Sequence, residues 1–222
     1  MKLKFYGYMI ELGQHEGDYL DICKNFRQVL DTSLIKEDAV KRIQTMKNVV
    51  LYVVLAKYDN EQSDLIHRFK QYVIMLRKHF LNEFVFRIET ERLLDEIPKY
   101  KAVVEKFTTN EIISQASFCD SFEKELRDGV EGSVATEVFS INEVGEKGWT
   151  DLMARIIEHN IRMMAKYFTK IRVARMAKLL ALTEAQTEDC LSEMVVVGTV
   201  SAKTDRLEGI IGFIEQGIHS KI

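Results

Sequence analysis

The chain has one proline, one tryptophan and three cysteines among its 222 residues. With so little proline nothing interrupts long helices, and a mostly α fold is expected. Cys23, Cys119 and Cys190 are odd in number, far apart and form no CxxC pair. They exclude a disulfide framework or zinc ribbon and read as reduced thiols of a cytoplasmic and nuclear protein. Long apolar runs are also missing: Val49 to Ala56 is the longest, against the roughly 20 residues that a membrane span needs. Residues Met1 to Ile10 carry lysines but no long apolar core and no small-residue cleavage site, so no secretory leader is read. A net charge of −3 gives no general attraction to nucleic acid or anionic membrane. The phosphate-cradling GxxxxGKS/T pattern, GxGxxG, HExxH and GxSxG do not occur. His15 beside Glu16 and Glu158 beside His159 are the acid–histidine neighbours, and neither pair has metal-ligand spacing. No catalytic residue, metal or cofactor is expected.

What is present is an ordinary globular mixture, 46% hydrophobic and 29% charged. A chain of this length buries roughly 70–75% of its unfolded surface. Tyr19, Leu20, Cys23, Phe26, Val29 and Leu30 recur every three or four residues, one apolar helical face. Asp31, Thr32 and Ser33 interrupt it, and a second helix is expected over about 36–57 with Val40, Ile43, Val49, Val50, Val53 and Val54 inward. Asp59 and Asn60 offer N-cap chemistry for a third helix running at least to Arg68. Leu93, Leu94 and Ile97 lead to Pro98, which should end or start a helix. Val103, Val104 and Phe107 form the next stripe, and Thr108 and Thr109 before Asn110 resemble another cap. Gly129 to Asn142 reads as a loop.

The last third carries the most pattern. Thr150 to Phe168 is amphipathic, with Met153, Ile156, Ile157, Ile161, Met164 and Phe168 on one side; Trp149 reads as a packing anchor at its entrance and His159 as a surface or capping residue. A short helix over 172–182 follows, with Val173, Met176, Ala177 and Leu180 on its face. Thr183 with Gln186 fits a capping box. The next helix shows Leu191, Met194 and Val195 and closes at Gly198. Thr199 to Thr204 and Ile210 to Ile214 read as two strands joined by a turn at 206–209. That order is a winged helix. The fold expected is therefore mostly α: a helical-repeat (TPR-like) array followed by a winged-helix subdomain with a small antiparallel β ribbon. Its parts are a repeat region over 1–128, with an atypical insert at 69–87, a loop and helix entry at 129–149, the winged helix at 150–216 and a tail at 217–222.

A winged helix that reads DNA needs cations on its second helix, because phosphate neutralisation supplies much of the affinity. Here that helix holds Glu184, Glu188, Asp189 and Glu193 and no lysine or arginine. Lys170, Arg172, Arg175, Lys178, Lys203 and Arg206 lie elsewhere and read as a solvated face. Nucleic-acid binding is the distant alternative. Protein contact is the preferred use, since an open ribbon edge is a template for another chain's strand. The candidate interface is Val200, Ala202, Lys203, Asp205, Arg206, Ile210 and Ile211, with core packing the favoured role of the two isoleucines.

Six segments resemble, in order, the PCI-domain non-ATPase subunits of the proteasome regulatory-particle lid. They are YGYMIELGQHEGDYLDICKNFR (Tyr6 to Arg27), VVLYVVLAKYDNEQSDLIHR (Val49 to Arg68), DEIPKYK (Asp95 to Lys101), RIIEHNIRMMAKYFTKI (Arg155 to Ile171), RMAKLL (Arg175 to Leu180) and AKTDRLEGIIGF (Ala202 to Phe213). A paralogous PCI subunit of the signalosome is the near alternative, with DNEQSDLIHR and EHNIRMMAKYF closer to the proteasomal version. The resemblance implies a scaffold without an active site, whose winged helix packs beside those of neighbouring PCI subunits in a horseshoe. The implied partners are other lid PCI subunits, the lid deubiquitinase and the core particle, in a hetero-oligomer. Relative to that family, a long N-terminal repeat region and a C-terminal bundle helix are expected to be missing. The segment from Phe69 to Arg87 has no counterpart; it reads either as an extension of the third helix or as an in-frame unspliced intron.

Overall fold

The computed structural model describes residues 2–70, 93–130 and 134–214. The expected insert and tail lie outside the described residues, apart from Phe69 and Lys70, which end a helix. The chain forms two compact units: residues 1–109 with 118–152, and residues 110–117 with 153–222. The second thus borrows a short segment, 110–117, from within the sequence span assigned above to the repeats.

The first unit is a run of helices. α1 (Lys2–Glu16) and α2 (Tyr19–Leu30) form a hairpin. Gly13 sits where they meet: a Cβ there would come within 2.7 Å of Ile22 Cγ1, so only glycine allows this approach. Gly17 supplies the turn at φ +73, and Asp18 caps α2 by accepting from the Leu20 and Asp21 amides. After the single turn of α3 (Ser33–Lys36), Asp38 caps α4 (Ala39–Leu55). α4 is the centre of the unit: every residue from Val49 to Ala56 is buried, because α2, α5 (Asn60–Lys70) and α6 (Pro98–Thr108) all pack on it. Asp59 caps α5, accepting from the Gln62 amide at 2.6 Å, and the Gln62 amide group donates to the Val53 carbonyl at 2.9 Å. Pro98 starts α6, where its missing N–H costs no helical bond.

α7 (Gln115–Arg127) leads to a 3-10 turn at Glu137–Phe139 and then to α8 (Glu143–Tyr167). Lys47 is 2% exposed; its Nζ donates to the Val134 carbonyl at 2.7 Å, and burial lowers its pKa. With Gln44, which donates to the Ala135 carbonyl at 2.9 Å, it ties the approach to the turn onto α4.

In the second unit the far end of α8 leads to β1 (Lys170–Arg172), α9 (Val173–Leu180), α10 (Glu184–Val197), β2 (Ala202–Asp205) and β3 (Ile210–Phe213). Its core joins Ile161, Met164, Ile171, Val173, Met176, Leu180, Leu191, Met194, Val200 and Ile211. The sheet has three antiparallel strands in the order β1-β3-β2.

Several expectations are corrected. The ribbon gains a third strand because Lys170–Arg172 pairs with β3, which confines the short helix to Val173–Leu180. α8 starts at Glu143 rather than Thr150: Asn142 Oδ1 accepts from the Gly145 amide, and a Cβ on Gly145 would overlap the Ser140 backbone. Gly145, with Gly148 beneath the Val138 carbonyl, lets the turn lie on the helix. Thr108 and Thr109 close α6 with hydroxyls bonded to preceding carbonyls, and do not cap a following helix. Val40 is 77% exposed, since it lies in the first turn of α4 ahead of the packed stretch. Val195 faces solvent while Thr187, Leu191 and Met194 carry the inward face of α10. His159 is buried, for the reason given below.

Candidate protein interface on the winged helix

The turn between α9 and α10 is built from local chemistry. Ala181 takes the left-handed conformation (φ 56) to end α9. Thr183 Oγ1 then accepts from the Gln186 amide at 3.2 Å, while the Thr183 amide donates to Gln186 Oε1 at 3.1 Å. α10 ends on Gly198 at φ +81. Its surface carries Glu184, Asp189 and Glu193, all exposed, and Glu188, half-buried and 3.5 Å from Arg206 Nε. Four carboxylates on the helix that a DNA-reading winged helix would present make the nearby potential negative and repel phosphate.

The wing is a designed turn. Asp205 Oδ1 accepts from the Leu207 and Glu208 amides at 3.0 and 3.2 Å, an Asx-type arrangement that leaves Leu207 wholly exposed at the tip. Gly209 completes it at φ +63.

The candidate interface residues separate by depth. Val200 and Ile211 are core residues at 4% and 0% exposure, so they support the sheet from beneath. Ala202 and Ile210 are half-buried, and Lys203, Asp205 and Arg206 are exposed. The register fixes what the β2 edge offers. The Ile214 amide donates to the Ser201 carbonyl at 2.9 Å, and Ala202 stands opposite Phe213. Bonding in an antiparallel pair alternates, so Ser201, Lys203 and Asp205 turn towards β3. The N–H and C=O of Ala202 and Thr204 face away from the sheet. Thr204, which sequence reading did not single out, is therefore an edge residue; only the register reveals it.

A second polar feature was also missed. Asn160, 2% exposed, accepts from the Ile113 amide at 2.7 Å and donates to the Ile113 carbonyl at 2.8 Å, imitating a strand neighbour. Beside it His159 Nε2 lies 3.0 Å from the Glu111 carbonyl, and Lys166 donates to Asn110 Oδ1 at 3.0 Å. Burial lowers the His159 pKa to about 4 against the helping carbonyl bond, with Arg162 lowering it further. These side chains lash residues 110–113 to α8. The His159–Asn160 pair is thus a clamp on backbone.

Among the described residues no three His, Cys, Asp or Glu side chains stand together as a metal cage. Burial raises the Cys23 thiol to about 12 and, with nearby carboxylates, raises Cys119 and Cys190, so none is an activated thiolate. The cleft of about 520 Å³ beside Arg127 is shallow, and that guanidinium is taken up by Glu123, Glu146 and the Trp149 ring. Among the described residues no helix is long and apolar enough to cross a membrane.

The described residues thus form an array of helices followed by a winged helix with an acidic second helix. Residues 118–214 match the PCI domain model, and residues 1–38 match the model described as PSMD12/CSN4, N-terminal. The chain thus carries a PCI domain over residues 118–214. It is 34% identical over 214 residues to the 26S proteasome regulatory subunit rpn501 of Schizosaccharomyces pombe, covering 96% of this chain and 42% of that relative. It is 28% identical over 213 residues to the regulatory subunit RPN5 of Saccharomyces cerevisiae, again 96% and 42%. With the 26S proteasome non-ATPase regulatory subunit 12 of Dictyostelium discoideum it shares 29% over 222 residues, 100% of this chain and 43% of the relative. The chain therefore spans less than half the length of these curated relatives.

Proposed function

We propose that this chain is a non-catalytic scaffold in the lid of the proteasome regulatory particle, serving ubiquitin-dependent protein degradation in cytoplasm and nucleus through protein–protein contacts. The observation that carries this reading is the similarity to proteasome regulatory subunits across 96% or more of the chain. The acidic face of α10 agrees with it, because that surface is unsuited to a DNA groove. Its partners on this reading are other PCI subunits of the lid, the lid deubiquitinase and the core particle. The β2 edge is the proposed contact: Ala202 and Thr204 offer backbone groups to a neighbour's strand, with Lys203, Asp205, Arg206 and Ile210 around them. The relatives named above are proteasomal, which favours this assignment over a signalosome subunit.

Affinity purification of the tagged chain from cells, with mass spectrometry of its companions, tests this. Lid subunits are the expected companions. Signalosome subunits would transfer the chain to the paralogous complex, and salt-sensitive DNA binding without either complex would overturn the scaffold reading. Isopeptidase turnover by the purified chain alone would overturn its non-catalytic character.

A further inference from the structure

The opposite edge of the sheet carries a different chemistry. In β1 Ile171 is buried while Lys170 and Arg172 are exposed, so strand alternation puts both cations on one side. Arg175 and Lys178, exposed and three residues apart, share a face of α9. None of the four makes an ion pair within 4.0 Å among the described residues. The Phe213 amide donates to the Thr169 carbonyl and the Val173 amide to the Gly209 carbonyl, both at 2.9 Å. By alternation, Thr169, Ile171 and Val173 are the positions bonded to β3. The N–H and C=O of Lys170 and Arg172 point outward along an edge that no strand pairs among the described residues, two residues (about 7 Å) apart.

We propose that this β1 edge docks an extended acidic segment of another protein, one with Asp or Glu at alternate positions. An added strand takes the outward backbone groups of Lys170 and Arg172, and its alternate side chains fall on the same side of the sheet as the two cations. The carboxylates meet Lys170 and Arg172 there. A nucleic-acid backbone has no alternating donors and acceptors to pair with this row, and its phosphates are repelled by the carboxylates of α10 in the same unit. The site is separate from the β2 edge invoked above and stands whether or not the chain enters a proteasome.

Fluorescence polarisation of the 222-residue chain with a short labelled peptide of alternating Thr and Glu tests the site. Binding is expected to weaken about tenfold on raising salt from roughly 50 to 300 mM, as screening shortens the reach of the charges. The same peptide with Gln for Glu should bind at least about tenfold more weakly, and so should Lys170→Glu for the acidic peptide. Arg172 separates charge from strand pairing. Its φ of −72 and ψ of 140 suit proline, and its N–H is not used by β3. Arg172→Gln should weaken binding about threefold, and Arg172→Pro, which also removes the outward donor, about tenfold beyond that. Equal affinities for these two variants would overturn the strand pairing. No measurable binding, equal affinity for the Gln peptide, or tighter binding of a single-stranded oligonucleotide would overturn the site. Should Arg172→Pro disturb the strand, the charge reversal at exposed Lys170 still decides the electrostatic part.

Discussion

Replacing Asn160 by alanine removes two hydrogen bonds at a residue 2% exposed, and leaves the N–H and C=O of Ile113 without the partner that now holds them. Ile113 is itself 6% exposed, so water reaches those groups poorly. An unsatisfied buried polar group costs about 1–3 kcal/mol, which for two gives roughly 2–6 kcal/mol. Partial hydration of the loosened segment argues for the lower half, about 3 kcal/mol, with a small cavity contribution included. In a chain of this size that lowers Tm by roughly 6–12 °C. Asn160→Asp is the sharper companion. One carboxylate oxygen still accepts from the Ile113 amide, but the other now faces the Ile113 carbonyl, acceptor against acceptor, and a buried charge is added. It should destabilise at least as much as alanine. Urea titration gives the global effect, and hydrogen exchange of peptides spanning 110–117 localises it, with faster exchange expected there than in α4. A loss below about 0.5 kcal/mol, or an aspartate variant as stable as the parent, would refute the strand-mimic account.

His159 makes the second unit acid-sensitive. Its folded pKa of about 4 lies below the ordinary 6.5, so between those values the unfolded chain binds a proton that the folded chain does not. The stabilisation is complete above pH 6.5 and is lost as pH falls towards 4, by at most about 3 kcal/mol; a urea midpoint series should show that slope in the parent and a flatter one in His159→Gln. Gly145→Ala should cost about 2–3 kcal/mol, because its Cβ meets the Ser140 backbone, whereas Gly7→Ala, with nothing within 4 Å, should gain about 0.5–1 kcal/mol in calorimetry. Cys23, with its thiol at about 12 and buried against the Val49 carbonyl at 3.5 Å, should resist alkylation at pH 8 until the chain is denatured, while Cys119 and Cys190 react first.

Local chemistry was legible where the partners are close in sequence. Val173, Met176, Ala177 and Leu180 are all buried as their spacing predicts, and the capping box of Thr183 with Gln186 and the stop at Gly198 are in place. What escaped depends on partners far along the chain. β1 has one inward residue, Ile171, too few for an alternating pattern, and becomes a strand only because Ile211 lies opposite. His159 read as a surface or capping residue, and Asn160 gave no signal, because the carbonyls and amide they serve belong to residues 111 and 113. At the head of α8, glycines that usually signal a loop are instead contact points under a turn; Asn142 and Glu143 were the available signals of a helix start. Of the candidate interface, sequence placed the ribbon correctly but could not tell Val200, a core residue, from Thr204, an edge residue. That distinction is a matter of register.

The two open edges of this small sheet bear on partner choice together. An uncovered strand edge pairs with any extended chain, its own copies included, unless something discriminates. Here β1 presents Lys170 and Arg172, whereas β2 presents Lys203 and Asp205, with Arg206 just beyond it beside Glu188. The β1 edge is therefore cationic, while the β2 edge carries both signs. Antiparallel pairing of the outward groups of β1 with those of a second molecule's β2 sets Lys170 and Arg172 opposite Ala202 and Thr204, so no carboxylate meets either cation directly across the ladder. A partner strand with carboxylates at those positions gains about 0.2–1 kcal/mol at each. The cations of β1 thus favour an acidic strand over a second copy of this sheet, and a net charge of −3 shows that this cationic edge is a local feature of the sheet and not a property of the chain as a whole.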